Sequence, residues 1–349
     1  MNKENLLGKT LSELKDICKT LAIPNYIASQ ICDWLYKKHC ASIDEMTNVS
    51  LKNRELLKSV YTIDAKSPVD SQVSSDGTKK YLYSIDPNYF VESVYIPDKE
   101  RATLCISSQV GCKMNCLFCM TGKQGFQKHL SAGEIINQIQ SLPEFETLTN
   151  IVFMGMGEPF DNLDEVLKTC EILTSDWGYG WSPKRITVST IGLIPGIKRF
   201  LQESDCHLAI SLHAPNHDVR SEIMPLEKAY SMEDIIKTVK QYDWNGQRRL
   251  SFEYIMFKGF NDSLEDARQL AKLLWGLKCR MNLIRFHAIE NVPLQSSDMN
   301  KMILFRDYLS EKGITTTIRA SRGEDILAAC GMLSSQKKLN TPKSPKGDF

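Results

Sequence analysis

The sequence predicts an α/β fold, a partial (βα)6 barrel preceded by a small N-terminal helical domain and a β extension. Three observations carry this. Between 131 and 319, apolar runs of strand length alternate with helical segments across short connections, the pattern of a parallel sheet. From 68 to 107 the hydrophobic period is two, and from 5 to 60 it is that of a helix. At 349 residues, 42% hydrophobic and 24% charged, the chain can bury one large core with a smaller unit beside it.

In order, Leu11, Leu14, Ile17 and Leu21 share a helical face, Pro24 breaks it, and Ile27, Ile31, Trp34 and Leu35 resume it. Lys37, Lys38, His39, Lys52, Arg54 and Lys58 put positive charge on this unit, assigned to residues 1–60. Strands are expected at 69–73, 79–85, 89–96 and 102–106, with Asp76-Gly77 and Asp86-Pro87-Asn88 as turns, and 61–100 forms the β extension. The core domain, 101–335, should place strands at 150–154, 185–189, 207–212, 250–257, 279–284 and 315–319. Its helices should lie at 131–142, 162–173, 192–201, 231–242, 263–277 and 298–312. Residues 336–349, rich in Lys, Ser and Pro, are expected to be a disordered tail. A net charge of +1 confines any nucleic-acid contact to local patches. Neither a signal peptide nor an apolar run of membrane-spanning length occurs, so a cytoplasmic protein without membrane contact is expected.

The chemistry centres on Cys112, Cys116 and Cys119, a C-x-x-x-C-x-x-C run that lets one loop point three sulfurs at a compact inorganic centre. A 4Fe-4S cluster usually has four cysteine ligands, so three local thiols leave one iron open to a non-protein ligand. Structural zinc is the competing reading, with Cys105 or His129 as fourth ligand, but zinc sites generally use paired two-residue spacings. Eleven cysteines in a cytosolic chain argue for metal or redox chemistry over a disulfide scaffold. Cys18, Cys32, Cys40, Cys170, Cys206 and Cys279 read as structural.

In such barrels the reactive groups gather just after the strands. There lie Met154-Gly155-Met156-Gly157-Glu158-Pro159, where glycines permit close backbone approach and Glu158 can accept hydrogen bonds from a cationic amine, then Val188-Ser189-Thr190 and Ser211-Leu212-His213. Lys184, Arg185, Arg199, Arg248, Arg249, Arg319 and Arg322 are candidates for phosphate contact.

The cysteine run resembles the signature of the radical S-adenosylmethionine (radical SAM) superfamily. Its wider context, from Arg101 to Cys105 and from Met120 through Phe126, resembles the RlmN family of dual-specificity RNA methyltransferases, over residues 5 to 335. The resemblance implies a 4Fe-4S cluster on Cys112, Cys116 and Cys119, and S-adenosylmethionine, two molecules per turnover, held by Gly157, Glu158, Ser189, Ser211, Leu212 and His213. Asn282-Leu283-Ile284-Arg285-Phe286-His287 resembles the family's Asn-Leu-Ile-Pro-Phe-Asn, with Arg285 and His287 departing from it, and His287 is the matching cofactor contact. Asp325-Ile326-Leu327-Ala328-Ala329-Cys330-Gly331 resembles the segment whose cysteine is methylated. Val91-Glu92-Ser93-Val94-Tyr95-Ile96-Pro97 resembles the stretch carrying the proton acceptor, Glu92.

By the same resemblance, Cys330 takes a methyl group, a radical derived from the second S-adenosylmethionine activates that methyl, and Cys105 resolves the product through a transient Cys105–Cys330 disulfide. The implied reaction is methylation of adenosine carbon 2 in the peptidyl-transferase region of 23S rRNA and beside the anticodon of tRNAs. A one-electron donor such as flavodoxin is implied, and a monomer is expected. The alternatives are carbon-8 methylation of the rRNA adenosine, which confers antibiotic resistance, a glycyl-radical activase, and a zinc-stabilised RNA-binding module.

Overall fold

The computed structural model describes residues 3–289 and 291–334, so the predicted tail at 336–349 lies outside the described residues. A ten-stranded sheet dominates it: β1 (Asp70–Val73), β2 (Lys79–Asp86), β3 (Tyr89–Asp98), β4 (Arg101–Cys105), β5 (Asn150–Phe153), β6 (Ile186–Thr190), β7 (His207–Ser211), β8 (Leu250–Met256), β9 (Arg280–Arg285) and β10 (Thr315–Ile318). Spatial order follows chain order from β1 to β10. β4 to β10 run parallel, each pair joined by a helical crossover, which gives six strand–helix repeats and a seventh strand. The sheet stays open between β10 and β1, as a partial barrel must.

β1, β2 and β3 are antiparallel and continue the sheet from the β4 edge. The predicted β extension is therefore built onto the barrel wall. Among the N-terminal helices, Leu11–Thr20 and Ile27–Tyr36 were legible, whereas Leu51–Val60 buries only Leu57 and left a weak apolar pattern. Thr10 with Glu13 and Ser131 with Glu134 form capping boxes that start the helices Leu11–Thr20 and Ala132–Gln140. The helix expected at 263–277 is Leu264–Leu273, and the apolar period runs past it because the turn residues Leu274 and Leu277 are buried too.

One hydrophobic core runs through both parts of the chain, from Leu14, Ile31 and Leu35 of the N-terminal helices to Ile151, Val188 and Leu283 of the barrel strands. Tyr36 meets Trp177 and Tyr179 at ring-centroid distances of 6.1 and 5.9 Å, and Glu13 pairs with Lys168 at 2.8 Å. The helical unit is thus packed against the barrel. Among the described residues, no helix is long and apolar enough to cross a membrane.

Candidate active site

A cavity opens at the carboxyl ends of the parallel strands, where barrel chemistry is expected. Cys105, Cys112, Cys116, Cys119, Gly157, Glu158, Ser189, Ser211, His213 and Cys330 all line it.

Residues 106–119 leave β4 and cross the strand ends. Gly111 at φ +72° and Asn115 at φ +52° bend this loop through left-handed conformations, for which glycine and asparagine are suited. A Cβ at Gly111 would stand 1.7 Å from the carbonyl oxygen of Gly125, so glycine is needed where the short pair Gln109–Val110 and Lys128–His129 closes. Leu117 N–H donates to Ile223 at 2.9 Å and Cys119 N–H to Cys116 at 3.2 Å, which fixes the loop before any ligand arrives. Burial pushes the Cys112 thiol up to about 12 and raises Cys116 and Cys119 as well. A bound cation would reverse that preference.

Among the described residues, the set of three ligand groups lying within 4.8 Å of one another is His217, Glu227 and Glu233, and it does not include the thiols. Glu227, for its part, is already committed to the buried guanidinium of Arg220.

The Gly157–Glu158 turn is locked to the thiol loop. Gly157 lies at φ +99°, and a Cβ there would meet the Gln109 Cβ at 2.5 Å. Gln109 accepts from the Glu158 N–H at 2.8 Å and donates to Asp161 at 2.7 Å, and Asp161 in turn pairs with Lys113 at 2.6 Å. The Glu158 carboxylate accepts from Thr190 Oγ1 (2.6 Å), Phe160 N (3.0 Å) and Ile191 N (2.9 Å). Of about four acceptor positions on a carboxylate, one remains. Burial pushes its pKa up to about 7, so an ammonium group entering the cavity would stabilise the charged form.

His213 sits at φ +56°. Its Nδ1 accepts from Ile255 N–H at 3.0 Å, and its ring meets the edge of Phe118 at 4.9 Å. Burial, then Arg220, lowers its pKa to about 3, so it stays neutral. Leu212 packs in the core and does not line the cavity.

Cys105 ends β4, and burial pushes its thiol up to about 12, with Cys330 adding to the effect. Cys330 is solvent-accessible through the cavity it shares with Cys105 and the three loop thiols. Its pKa is raised by burial within the surrounding protein and opposed by Arg319. The segment around it is docked onto the thiol loop: Met120 N–H donates to Gly331 O, and Thr121 Oγ1 to Leu333 O, both at 2.8 Å. Glu92 is buried just outside the lining, between Lys80 at 3.0 Å and the Ser334 N–H at 3.0 Å. His287 is buried and also outside the lining, with Nδ1 3.2 Å from Glu324 Oε1.

Several contributors escaped the sequence reading. Arg220, from the unanticipated helix His217–Ile223, donates to the carbonyls of Ile191 (2.6 Å), Ser211 (3.0 Å) and Leu212 (3.1 Å), holding the ends of β6 and β7 together. Ser107 donates to Glu92 O at 2.6 Å and accepts from Met156 N–H at 2.8 Å. Glu253, buried on β8, faces the cavity and meets Arg319 at 3.4 Å. The only signal for either acid or hydroxyl was a polar residue interrupting an apolar run. Other candidate cations turn inward: Arg185 donates to Thr149 O at 2.6 Å and covers the Trp181 ring at 3.9 Å, and Arg248 donates to Leu201 O at 2.9 Å. Arg199 pairs with Asp164 at 2.5 Å and Glu203 at 2.7 Å.

The donor set fits a 4Fe-4S cluster with an open corner, since Cys112, Cys116 and Cys119 line one cavity and no fourth cysteine of the same loop joins them. The free acceptor of Glu158, the hydroxyls of Ser189 and Ser211, and the apolar walls of Ile191, Ile255 and Ile284 fit an amino-acid nucleoside such as S-adenosylmethionine.

Residues 106–274 match the family model of the radical SAM superfamily, and residues 4–63 that of the ribosomal RNA large subunit methyltransferase N-terminal domain. The chain is 63% identical to a probable dual-specificity RNA methyltransferase RlmN of Bacteroides thetaiotaomicron, over 99% of this chain and 100% of that one. It is 40% identical to a dual-specificity RNA methyltransferase RlmN of Alcanivorax borkumensis, over 99% and 93%. The crystal structure of a radical SAM methyltransferase from Sphaerobacter thermophilus superposes with a TM-score of 0.88 at 37% identity, covering 95% of this chain and 100% of that one.

Proposed function

The chain belongs to the RlmN family of radical SAM RNA methyltransferases, and from that membership we propose that it methylates carbon 2 of an adenosine in 23S rRNA and of the adenosine beside the anticodon in tRNAs. The observation that carries this reading is one cavity lined by the three loop thiols, Cys105 and Cys330 together. A simple methyltransferase needs no such assembly. Carbon 2 of adenine has no nucleophilic lone pair, so direct transfer of a sulfonium methyl to it is closed.

Cys112, Cys116 and Cys119 would hold the 4Fe-4S cluster, and Gly157, Glu158, Ser189, Ser211 and His213 would hold S-adenosylmethionine, with Leu212 and His287 supporting from outside the lining. When bound, these groups supply a transferable methyl and one-electron chemistry at an unactivated carbon, with two molecules of S-adenosylmethionine used per turnover and a donor such as flavodoxin as reductant. The protein is taken to act as a monomer.

The roles proposed for the chain's own residues come from the family resemblance, and the shared cavity of Cys105 and Cys330 supports them. Cys330 as thiolate is the nucleophile that accepts the methyl, and Arg319 favours its ionised form. Glu92 takes the proton from carbon 2. Cys105, as thiolate, attacks the Cys330 sulfur; the disulfide forms as the bond from that sulfur to the methylene carbon breaks, and the carbon keeps the electron pair and takes up a proton to become the product methyl. Hydrogen bonds from Met120 N–H to Gly331 O, from Thr121 Oγ1 to Leu333 O and from Ser334 N–H to Glu92 Oε2 orient the segment that presents Cys330.

Anaerobic incubation of the cluster-loaded enzyme with rRNA and tRNA fragments, followed by nucleoside mass spectrometry, tests this. 2-Methyladenosine is expected in both, and 8-methyladenosine alone would overturn the carbon-2 assignment.

A further inference from the structure

The segment that carries Cys330 contains a strained turn, N-terminal to the stretch in which Ala328 and Leu333 join the core. The turn Glu324–Ile326 is bracketed by left-handed residues, Gly323 at φ +62° and Leu327 at φ +54°, and Leu327 is half exposed. A non-glycine residue in that region persists where the surroundings hold it. The surroundings here are the hairpin turn between β1 and β2. Asp325 accepts from Ser74 Oγ at 2.5 Å and from Ser75 N–H at 3.0 Å, and Asp76 accepts from Gly323 N–H at 3.0 Å. Arg322 reaches Asp98, at the end of β3, at 3.3 Å. On the other flank Glu324 meets His287 at 3.2 Å. The hairpin strand β2 also holds the far end, because its Lys80 pairs with Glu92, which accepts from Ser334 N–H.

We propose that the turn 74–78 is a clasp for Cys330, with Ser74, Asp76 and Asp325 as positioning residues that seat the segment 323–334 over the cavity. None of the three lines the cavity, so their effect on the reaction passes through the placement of Cys330. Two features support this. The clasp bonds are carboxylate-to-N–H or carboxylate-to-hydroxyl contacts, the stronger class of hydrogen bond. They also join stretches about 250 residues apart in sequence, for which local turn formation has no need. The proposal rests on the reading of Cys330 as the methyl-carrying thiol.

The test uses full-length, cluster-loaded protein carrying Asp325→Ala, Ser74→Ala, both together, and Asp325→Asn. Amide hydrogen exchange is measured over 323–334, with kcat, KM for an rRNA fragment, and iron content. Asp325→Ala is expected to keep its iron, to exchange faster over 323–334, and to lose about tenfold or more in kcat through misplacement of the thiol, with KM within about twofold. Asp325→Asn keeps an acceptor for Ser74 and is expected to recover most of the turnover. Adding Ser74→Ala to Asp325→Ala should cost little more, as for two halves of one bond. Parental exchange in Asp325→Ala, or parental kcat despite faster exchange, would overturn the clasp. Turnover surviving in Cys330→Ala would instead sink the reading beneath it, whatever the exchange data say.

Discussion

The Ser334 backbone N–H donates to Glu92 Oε2 at 3.0 Å, while Glu92 Oε1 faces Lys80 at 3.0 Å. The proposed proton acceptor is therefore held by the same segment that presents Cys330. Burial raises its pKa and Lys80 opposes the rise. A base works when ionised, so activity should fall on the acid side at a higher pH than an ordinary carboxylate would give. Lys80→Met removes the opposing charge, and the acid limb of kcat against pH should move further up. A limb that stays in place would exclude Glu92 as the base.

Cys330→Ala should abolish methylation while leaving the iron content intact. Cys105→Ala should remove the resolving thiol and leave RNA joined to Cys330, seen as a slow band on a denaturing gel that a protease collapses. Free methylated product from Cys105→Ala at the parental rate would refute the disulfide step.

Gly111→Ala forces a Cβ to within 1.7 Å of the Gly125 carbonyl at a left-handed residue. The loop must shift, so iron and sulfide per chain should drop, with the loss of the brown absorbance as readout. Asn115→Ala, which only removes a preference for φ +52°, should lose less.

Arg220 and Glu227 form a fully buried ion pair. Glu227→Gln leaves the guanidinium without its counter-charge, a change that costs about 3–5 kcal/mol in comparable settings. Denaturant unfolding should report that loss. S-adenosylmethionine affinity should weaken too, because Arg220 ties the carbonyls at the ends of β6 and β7.

The parallel sheet was legible because each strand is a short apolar run followed by a helix with its own start signal, such as Ser131 with Glu134. The thiol loop and Glu158 were legible because their spacing or glycine context is local. Arg220, Ser107 and Glu253 were not, since each reaches at least one partner that only the fold brings near: Ile191, Glu92 and Arg319 respectively. Charge pattern does not reveal partners: Arg185, a candidate for phosphate contact, donates to the carbonyls of Leu148 and Thr149 and lies over the Trp181 ring. His287 resembles a cofactor contact by its motif, and its Nδ1 lies 3.2 Å from Glu324 Oε1 outside the cavity lining.

The strands β1 to β10 lie side by side in the order in which they are translated. Such a wall can grow one rung at a time from the ribosome, with no rung waiting for a later one to be slotted in between. The residues 112–119 are thus synthesised and framed long before residue 330 exists. The piece that roofs this nest is made only after every strand of the wall.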